Sequence, residues 1–412
     1  MLRYAPAALA LILATAAAAQ IPREAPGAVE KLAAPSAHWV WVSDLVLERA
    51  ALLDLDSGRF LGLVNGGYGA IAPLFPRNRP ELYLPTTYFS KRTRGERSDW
   101  LEIYDLATLS PTAEIAMPAR RAIDAVPMAH SALSDDDRFV AVFNWTPRTS
   151  LSIVDVVERR FAAEIEIPGC SLVYAAGPRR FFSLCADGTA LVVTLDDRGQ
   201  ELKKERTAPF FDPKVDPITE KGVRHGQLWS FASFDGWLYS IDVTAESLAF
   251  GEKWSLISAD EREDNWRIGG WQHLAVHVPT ATLYSLVHRG GPDSHKDPSE
   301  EVWVYDLRRR ERRTRIELRN PGVTIYGFPL GFGESWPTPF NWMSDWMIAT
   351  LAPAEVSHVQ VTQDDQPRLI TASQYSGSLG IYDAKSGDWL GRVQPTGWTT
   401  DLVLAPHGGT AR

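Results

Sequence analysis

An apolar or aromatic strand that ends in aspartate recurs seven times along these 412 residues, and this recurrence constrains the fold more than any other feature. The instances are Ala51-Leu52-Leu53-Asp54, Glu102-Ile103-Tyr104-Asp105, Ser152-Ile153-Val154-Asp155 and Val193-Thr194-Leu195-Asp196. Tyr239-Ser240-Ile241-Asp242, Trp303-Val304-Tyr305-Asp306 and Gly380-Ile381-Tyr382-Asp383 complete the set. Spacings of roughly 40 to 80 residues fit blades of four antiparallel strands, the longer ones carrying inserted loops. The aspartate suits the polar turn that follows, because its carboxylate accepts hydrogen bonds from backbone N–H groups there. Helical periodicity is weak apart from short pieces such as Ser258 to Asn265. Seven units predict an all-β chain, a seven-bladed β-propeller over residues 38–412. A pair of β-sandwiches is the alternative, but it predicts no sevenfold recurrence.

Charge and composition then exclude whole classes of function. Apolar residues make up 45% of the chain and charged residues 23%, as in ordinary globular proteins. Forty-two Lys and Arg against 51 Asp and Glu leave a net charge of −9, the wrong sign for a nucleic-acid binder. The one dense basic run, Arg308 to Arg313, falls at an expected turn and reads as a solvated hairpin tip. At the N-terminus, Arg3, the apolar stretch Ala5 to Leu13 and the small residues Ala16 to Ala19 have the order of a signal peptide. Cleavage is expected before Gln20, making 1–19 the signal peptide and 20–37 an N-terminal extension. The apolar run is shorter than the roughly 20 residues that span a membrane. Export to an oxidising compartment is the expectation.

The two cysteines fit such a compartment. Cys170 and Cys185 lie in two strand-like stretches separated by Gly177-Pro178, a strong turn signal near their midpoint. A hairpin folded there sets the two sulfurs opposite one another, as a disulfide requires. Two buried thiols or a metal pair are the alternatives.

A search for reaction centres returns none of the familiar ones: no nucleophile elbow, zincin helix, haem attachment site or phosphate loop. His273 and His277 alternate along a strand and stand roughly 13 Å apart, too far for one ion, so packing or surface roles are expected. His288 and His295 flank Gly290-Gly291 and read as hydrogen-bonded loop residues. Asn144-Trp145-Thr146 fits a glycosylation acceptor, a pattern common by chance. No catalytic and no metal-ligating residue is assigned to this chain. Residues 326–353 form an aromatic-rich insertion in which Trp336, Trp342 and Trp346 join Phe328, Phe332 and Phe340 among glycines and prolines. It reads as a self-packed loop over a rim, or as a partner interface or the lip of a ligand entrance.

Several of these stretches resemble a known family. Arg94-Gly95-Glu96-Arg97-Ser98-Asp99-Trp100-Leu101-Glu102-Ile103-Tyr104-Asp105, with Leu109 to Ile115 after it, is similar to the heavy (alpha) chains of methylamine dehydrogenase and aromatic amine dehydrogenase. So are Trp266-Arg267-Ile268-Gly269-Gly270-Trp271-Gln272, His277, His295-Lys296 and the Cys170/Cys185 hairpin. The resemblance spans about residues 38 to 405. It implies a seven-bladed propeller in the periplasm, with an intrachain disulfide at this hairpin. It also implies a small disulfide-rich light (beta) chain that carries tryptophan tryptophylquinone and the catalytic base, with none bound by this chain. Two heavy and two light chains would oxidise primary amines to aldehyde and ammonia and pass electrons to a blue-copper protein such as amicyanin or azurin. This chain would supply a wall of the substrate cavity. The aromatic after a Gly-Gly pair that lines that cavity in methylamine dehydrogenase matches Gly66-Gly67-Tyr68, with Tyr in place of Phe. An ordinary aromatic after a turn is the other reading of Tyr68. For the whole chain, a stand-alone periplasmic binding propeller or an independently catalytic, metal-dependent propeller are the alternatives.

Overall fold

Strands with apolar residues at four or more consecutive positions, such as Phe139–Asn144 and Ala190–Leu195, are buried on both sides, so they must lie between layers. The computed structural model describes residues 30–124, 128–321, 354–374, 377–393 and 397–407, and the backbone of 323–325 and 328–330. The expected signal peptide, residues 20–29 of the extension, and Trp336, Trp342 and Trp346 lie outside the described residues. The chain divides into two units, Met1–Lys31 and Leu32–Arg412, and every strand belongs to the second.

Seven antiparallel sheets follow one another along the chain, as the aspartate repeat predicts, and build a β-propeller. In the first, Trp39–Asp44, Arg49–Asp54 and Phe60–Asn65 take their innermost strand, Leu402–Leu404, from the far end of the chain. The pairing of Val42 with Val403 closes the ring. The second has Glu81–Phe89, Arg97–Asp105 and Ser110–Met117, and its inner position is reduced to two isolated bridges, Gly67 to Thr87 and Leu74 to Tyr83. The third runs Ser131–Leu133, Phe139–Asn144, Ser150–Asp155, Arg160–Glu166, and the fourth Cys170–Gly177, Arg180–Cys185, Ala190–Leu195, Glu201–Arg206. Val223–His225, Leu228–Ala232 and Trp237–Asp242 form the fifth, with Ala249–Phe250 and Trp254–Ser255 sharing its outer edge. The sixth sets Trp266–Ile268 and Leu274–His277 against Thr282–Arg289, then adds Glu301–Asp306 and Glu311–Glu317. His358–Val361, Arg368–Ala372, Leu379–Asp383 and Trp389–Val393 make the seventh.

Burial falls from the inner strands outward, so Phe139–Asn144 is wholly buried while Glu201–Arg206 is mostly exposed. The core lies between neighbouring blades: Phe139, Ile153 and Ile165 of the third meet Val173, Phe181 and Val193 of the fourth. Each such side chain contributes about 1.5–3 kcal/mol on burial. Six of the repeat aspartates end the third strand of a blade and Asp196 directly follows one, and in each of the seven the Oδ1 accepts the backbone N–H two residues on, at 2.8–3.2 Å.

The short helix Ala259–Glu263 starts at Ser258, whose side chain and that of Glu261 form a capping box. Cys170 and Cys185 are register partners across the fourth blade's hairpin, and their sulfurs are joined. The basic run is the exposed hairpin tip its sequence predicts, with residues 307–310 in the turn and Arg308 to Arg313 all exposed. Arg312 pairs there with Glu261 at 2.7 Å and Arg313 with Asp306 at 2.6 Å.

Because strands alternate in direction, every crossover from one blade's outer strand to the next blade's inner strand emerges on one face of the propeller. The turns between second and third strands emerge there too. Gly66-Gly67-Tyr68 lies on the first of these crossovers, after Phe60–Asn65.

Candidate functional site

The crossover that carries Tyr68 is held tightly at its backbone and loosely at its side chain. Gly67 sits at φ +63°, and a Cβ there would stand 2.4 Å from the Thr87 carbonyl oxygen and 2.9 Å from the Tyr88 ring. Only glycine accommodates both the left-handed backbone and that approach. The Tyr68 N–H donates to the Thr87 carbonyl at 2.7 Å, and the Ala70 N–H to the Ile123 carbonyl at 2.9 Å. The Tyr68 ring is half-buried and meets Phe89 edge-on, with centroids 5.3 Å apart. Among the described residues, nothing hydrogen-bonds its hydroxyl.

Beneath this loop lies a buried ionic network. Arg121, 3% exposed, donates from Nη1 to the Ala70 carbonyl at 3.0 Å, from Nη2 to the Tyr68 carbonyl at 3.2 Å and from Nε to Thr87 Oγ1 at 3.1 Å. Its own backbone is clamped in turn: the N–H donates to Asp99 Oδ2 at 2.7 Å and the carbonyl accepts from Arg97 Nη2 at 2.6 Å. Arg97 grips Asp99 with two nitrogens, at 2.9 and 2.8 Å. Burial pushes the Arg121 guanidinium down to about 10, against the pull of Asp99. Next to it, His130 is buried and pushed down to about 4 by desolvation, with Arg121 adding to the fall. In the same blade, Glu102 accepts the hydroxyls of Tyr88 at 2.5 Å and Tyr104 at 2.6 Å, and burial with Glu102 raises both phenols. Arg97, Asp99 and Glu102 all belong to the Arg94–Asp105 stretch that carries the family resemblance.

The face around this loop carries exposed apolar side chains. Leu45, Val46, Leu47, Trp145, Val215 and Trp398 stand on its crossovers or second-to-third-strand turns, and Tyr88 near the end of a strand that runs into one of those turns; Phe60, Leu63, Val157, Leu202 and Leu390 are exposed elsewhere. Leu45 and Trp398 adjoin, since the Leu45 N–H donates to Asp401 and the Trp398 N–H to Asp44, each at 2.6 Å.

The propeller's centre is a cavity of about 350 Å³ lined from every blade, by Leu74, Ala132, Ala175, Val223, Leu274, Gln360 and Leu402 among others. Several of its polar groups hold one another or the backbone. Arg224 holds Asp135 with two nitrogens at 2.6 and 2.7 Å, and Gln272 exchanges hydrogen bonds with the Val403 backbone at 2.8 and 2.9 Å. Gln272 ends the second resembling stretch, whose role is thus closure of the ring.

The histidines singled out by sequence have structural partners. His273 Nε2 meets Thr219 Oγ1 at 3.1 Å, and His277 meets Thr280 at 2.7 Å and the Asp364 carbonyl at 3.0 Å. Burial lowers both imidazoles. His288 ends a strand instead of lying in the loop; it bonds Ser294 at 2.9 Å, while His295 stacks on Phe234 at 3.6 Å. Asn144 is buried and donates to Ser150 and Ser152, which keeps it from serving as a glycan acceptor. Among the described residues, no three His, Cys, Asp or Glu side chains gather as a metal site would need.

Sequence reasoning singled out Tyr68 but not Arg121 or Phe89, the residues that hold its loop and meet its ring. The signal for Phe89 is its place at the end of a strand beside the Arg94 turn. Arg121 has no local signal, because the carbonyls it binds belong to residues about fifty positions earlier.

Comparison with known proteins places this geometry in a lineage. The chain is 26% identical to the methylamine dehydrogenase heavy chain of Paracoccus versutus over 375 residues, 90% of this chain and 80% of that one. It is 25% identical to that of Methylophilus methylotrophus, covering 78% of this chain and 71% of the other. Among solved structures, dihydro-heme d1 dehydrogenase NirN in complex with DHE aligns at TM-score 0.50 and 16% identity, covering 92% of this chain and 76% of that one. A protein of unknown function from Desulfotomaculum acetoxidans also aligns at 0.50, with 11% identity over 90% of this chain and all of the other. These two share the fold. Residues 37–326 match the family model of the methylamine dehydrogenase heavy chain (MADH), and the chain belongs to that family.

Proposed function

We propose that this chain is the non-catalytic heavy subunit of an exported, periplasmic amine dehydrogenase that oxidises primary amines to aldehyde and ammonia. A light chain bearing tryptophan tryptophylquinone would occupy the crossover face, two heavy and two light chains would assemble, and electrons would leave to a blue-copper protein of the amicyanin or azurin kind. The observation that carries this reading is the half-buried Tyr68, presented on a face that carries exposed apolar side chains. An apolar field of that kind favours a protein partner.

The quinone, on the partner, supplies the two-electron acceptor that ordinary side chains lack. The one tryptophan pair among the described residues does not fit that role. Trp266 and Trp303 lie 5.3 Å apart but are 4% and 0% exposed, sit beneath Arg289, Arg312 and Arg315 in the sixth blade, and do not line the central cavity. Both cysteines are joined. What this chain contributes is a wall. The Tyr68 ring, backed by Phe89, would exclude water from one side of the substrate and select amines by the fit of their side group, with a hydroxyl free to accept or donate a hydrogen bond.

Oxidative footprinting of the full chain, with and without a co-produced light chain, tests the docking face. Trp145 and Trp398 should become protected in the complex, as should Trp336, Trp342 and Trp346 if the aromatic insertion belongs to the same rim. A complex that leaves Trp145 and Trp398 as reactive as before would move the partner to another face.

A further inference from the structure

We propose that Arg121 is a positioning residue that sets which amines the Tyr68 wall admits. The proposal rests on the reading of Tyr68 as a cavity wall and extends it to the buried network behind the loop. The Tyr68 side chain has one aromatic neighbour, Phe89, and no intrachain hydrogen bond at its hydroxyl among the described residues. Its orientation therefore follows from its backbone. That backbone is held on one side by the Thr87 carbonyl and on the other by the Arg121 guanidinium, which binds the carbonyls of both Tyr68 and Ala70.

A guanidinium suits this task because its nitrogens are fixed in one plane and reach three acceptors at once. A lysine ammonium at the same place is a point donor and cannot span both loop carbonyls and Thr87. Arg121 is itself immobile: Asp99 takes its N–H, Arg97 takes its carbonyl, and Thr87 Oγ1 donates to Asp99 Oδ1 at 2.9 Å. Burying the Arg121 guanidinium and the Asp99 carboxylate is a costly way to gain stability alone, since apolar side chains of similar volume often serve as well. The network instead fixes a loop at atomic distances, which is what selection among closely related substrates requires.

Arg121→Lys, with Arg97→Lys as a milder variant should the first fold poorly, tests the idea in two ways. In the full chain, hydrogen exchange at the Tyr68 and Ala70 amides should quicken by about tenfold or more relative to the amides of Arg97–Asp105. Unchanged exchange would overturn the proposal without any reference to the partner. In the complex with its light chain, kcat and KM are measured for amines of increasing side-group size. Arg121→Lys should alter the ratio of kcat/KM between small and bulky amines by about fivefold or more, chiefly through KM, and should add little in a Tyr68→Ala background. A uniform loss across all amines, or an effect undiminished by Tyr68→Ala, would make Arg121 purely structural. Tyr68→Ala with an unchanged amine ranking would instead sink the wall reading, and this proposal with it.

Discussion

At the scale of single residues, the site depends on a glycine that cannot be replaced and on imidazoles that stay neutral. Gly67→Ala adds a Cβ where the Thr87 oxygen already stands and where φ is +63°, so the loop must shift. A loss of about 1–3 kcal/mol in unfolding free energy is expected, with a changed amine ranking in the complex. Thermal unfolding and the same kinetic panel check both. His130 gives a pH dependence whose sign is fixed by its burial. Its folded value, pushed down to about 4, lies below the ordinary 6.5, so the unfolded chain binds the proton first. The stability this represents is present above pH 6.5 and is lost as pH falls from there toward 4. His358, pushed down to about 3, and His407, to about 4, act in the same direction for the same reason. Urea titrations should therefore show stability declining below pH 6.5, and His130→Gln should flatten part of that decline. A decline unchanged by His130→Gln would assign the acid sensitivity to the other buried histidines, His273, His358 and His407 foremost.

At the scale of elements, the aspartate at the end of each third strand is the turn chemistry that makes the repeat readable. Asp155 is fully buried, accepts the N–H groups of Val157 and Glu158, and holds Arg138 at 3.1 Å. Asp155→Ala leaves those donors and a guanidinium without their acceptor, and should lower stability by about 1–3 kcal/mol. Asp54, on a more open turn, should cost less than about 1 kcal/mol when treated alike. Equal losses in denaturant unfolding would show that the turn alone, not the buried pair, sets the cost. The cysteine hairpin was legible for a related reason: a central turn signal fixes the register of both strands, and Cys170 and Cys185 fall opposite one another. Removing a bridge that closes a loop of 15 residues should cost about 3 kcal/mol, measurable with Cys170→Ala/Cys185→Ala. Less legible were the second blade's missing inner strand and the doubled strands of the fifth and sixth. Those depend on which edges the neighbouring blades leave open, and a local pattern of alternation carries no record of that. His288 was misplaced into a loop because the Gly290-Gly291 signal follows it so closely.

At the scale of the whole molecule, the ring is closed by contacts that join distant parts of the chain. Leu402–Leu404 enters the first blade, and Gln272 of the sixth blade pairs with Val403 of that strand. Arg224, Asp135 and Gln272 at the centre are thus used in construction, and Leu45, Val46, Leu47, Trp145, Val215 and Trp398 are exposed on the face that carries Tyr68. Sequence made the sevenfold ring visible because each blade repeats one local rule. It made Tyr68 visible through a glycine pair, but the Arg121 network is assembled only by folding and had no local mark. On the proposed reading, a ring with exposed apolar side chains beside a backbone-pinned aromatic would form one wall of a partner's cavity. The most direct test is anaerobic reduction of an artificial dye by a panel of primary amines, with the purified full chain alone and in complex with its light chain. The account predicts no turnover by the metal-free isolated chain and amine-dependent reduction by the complex; turnover by the isolated chain would contradict it.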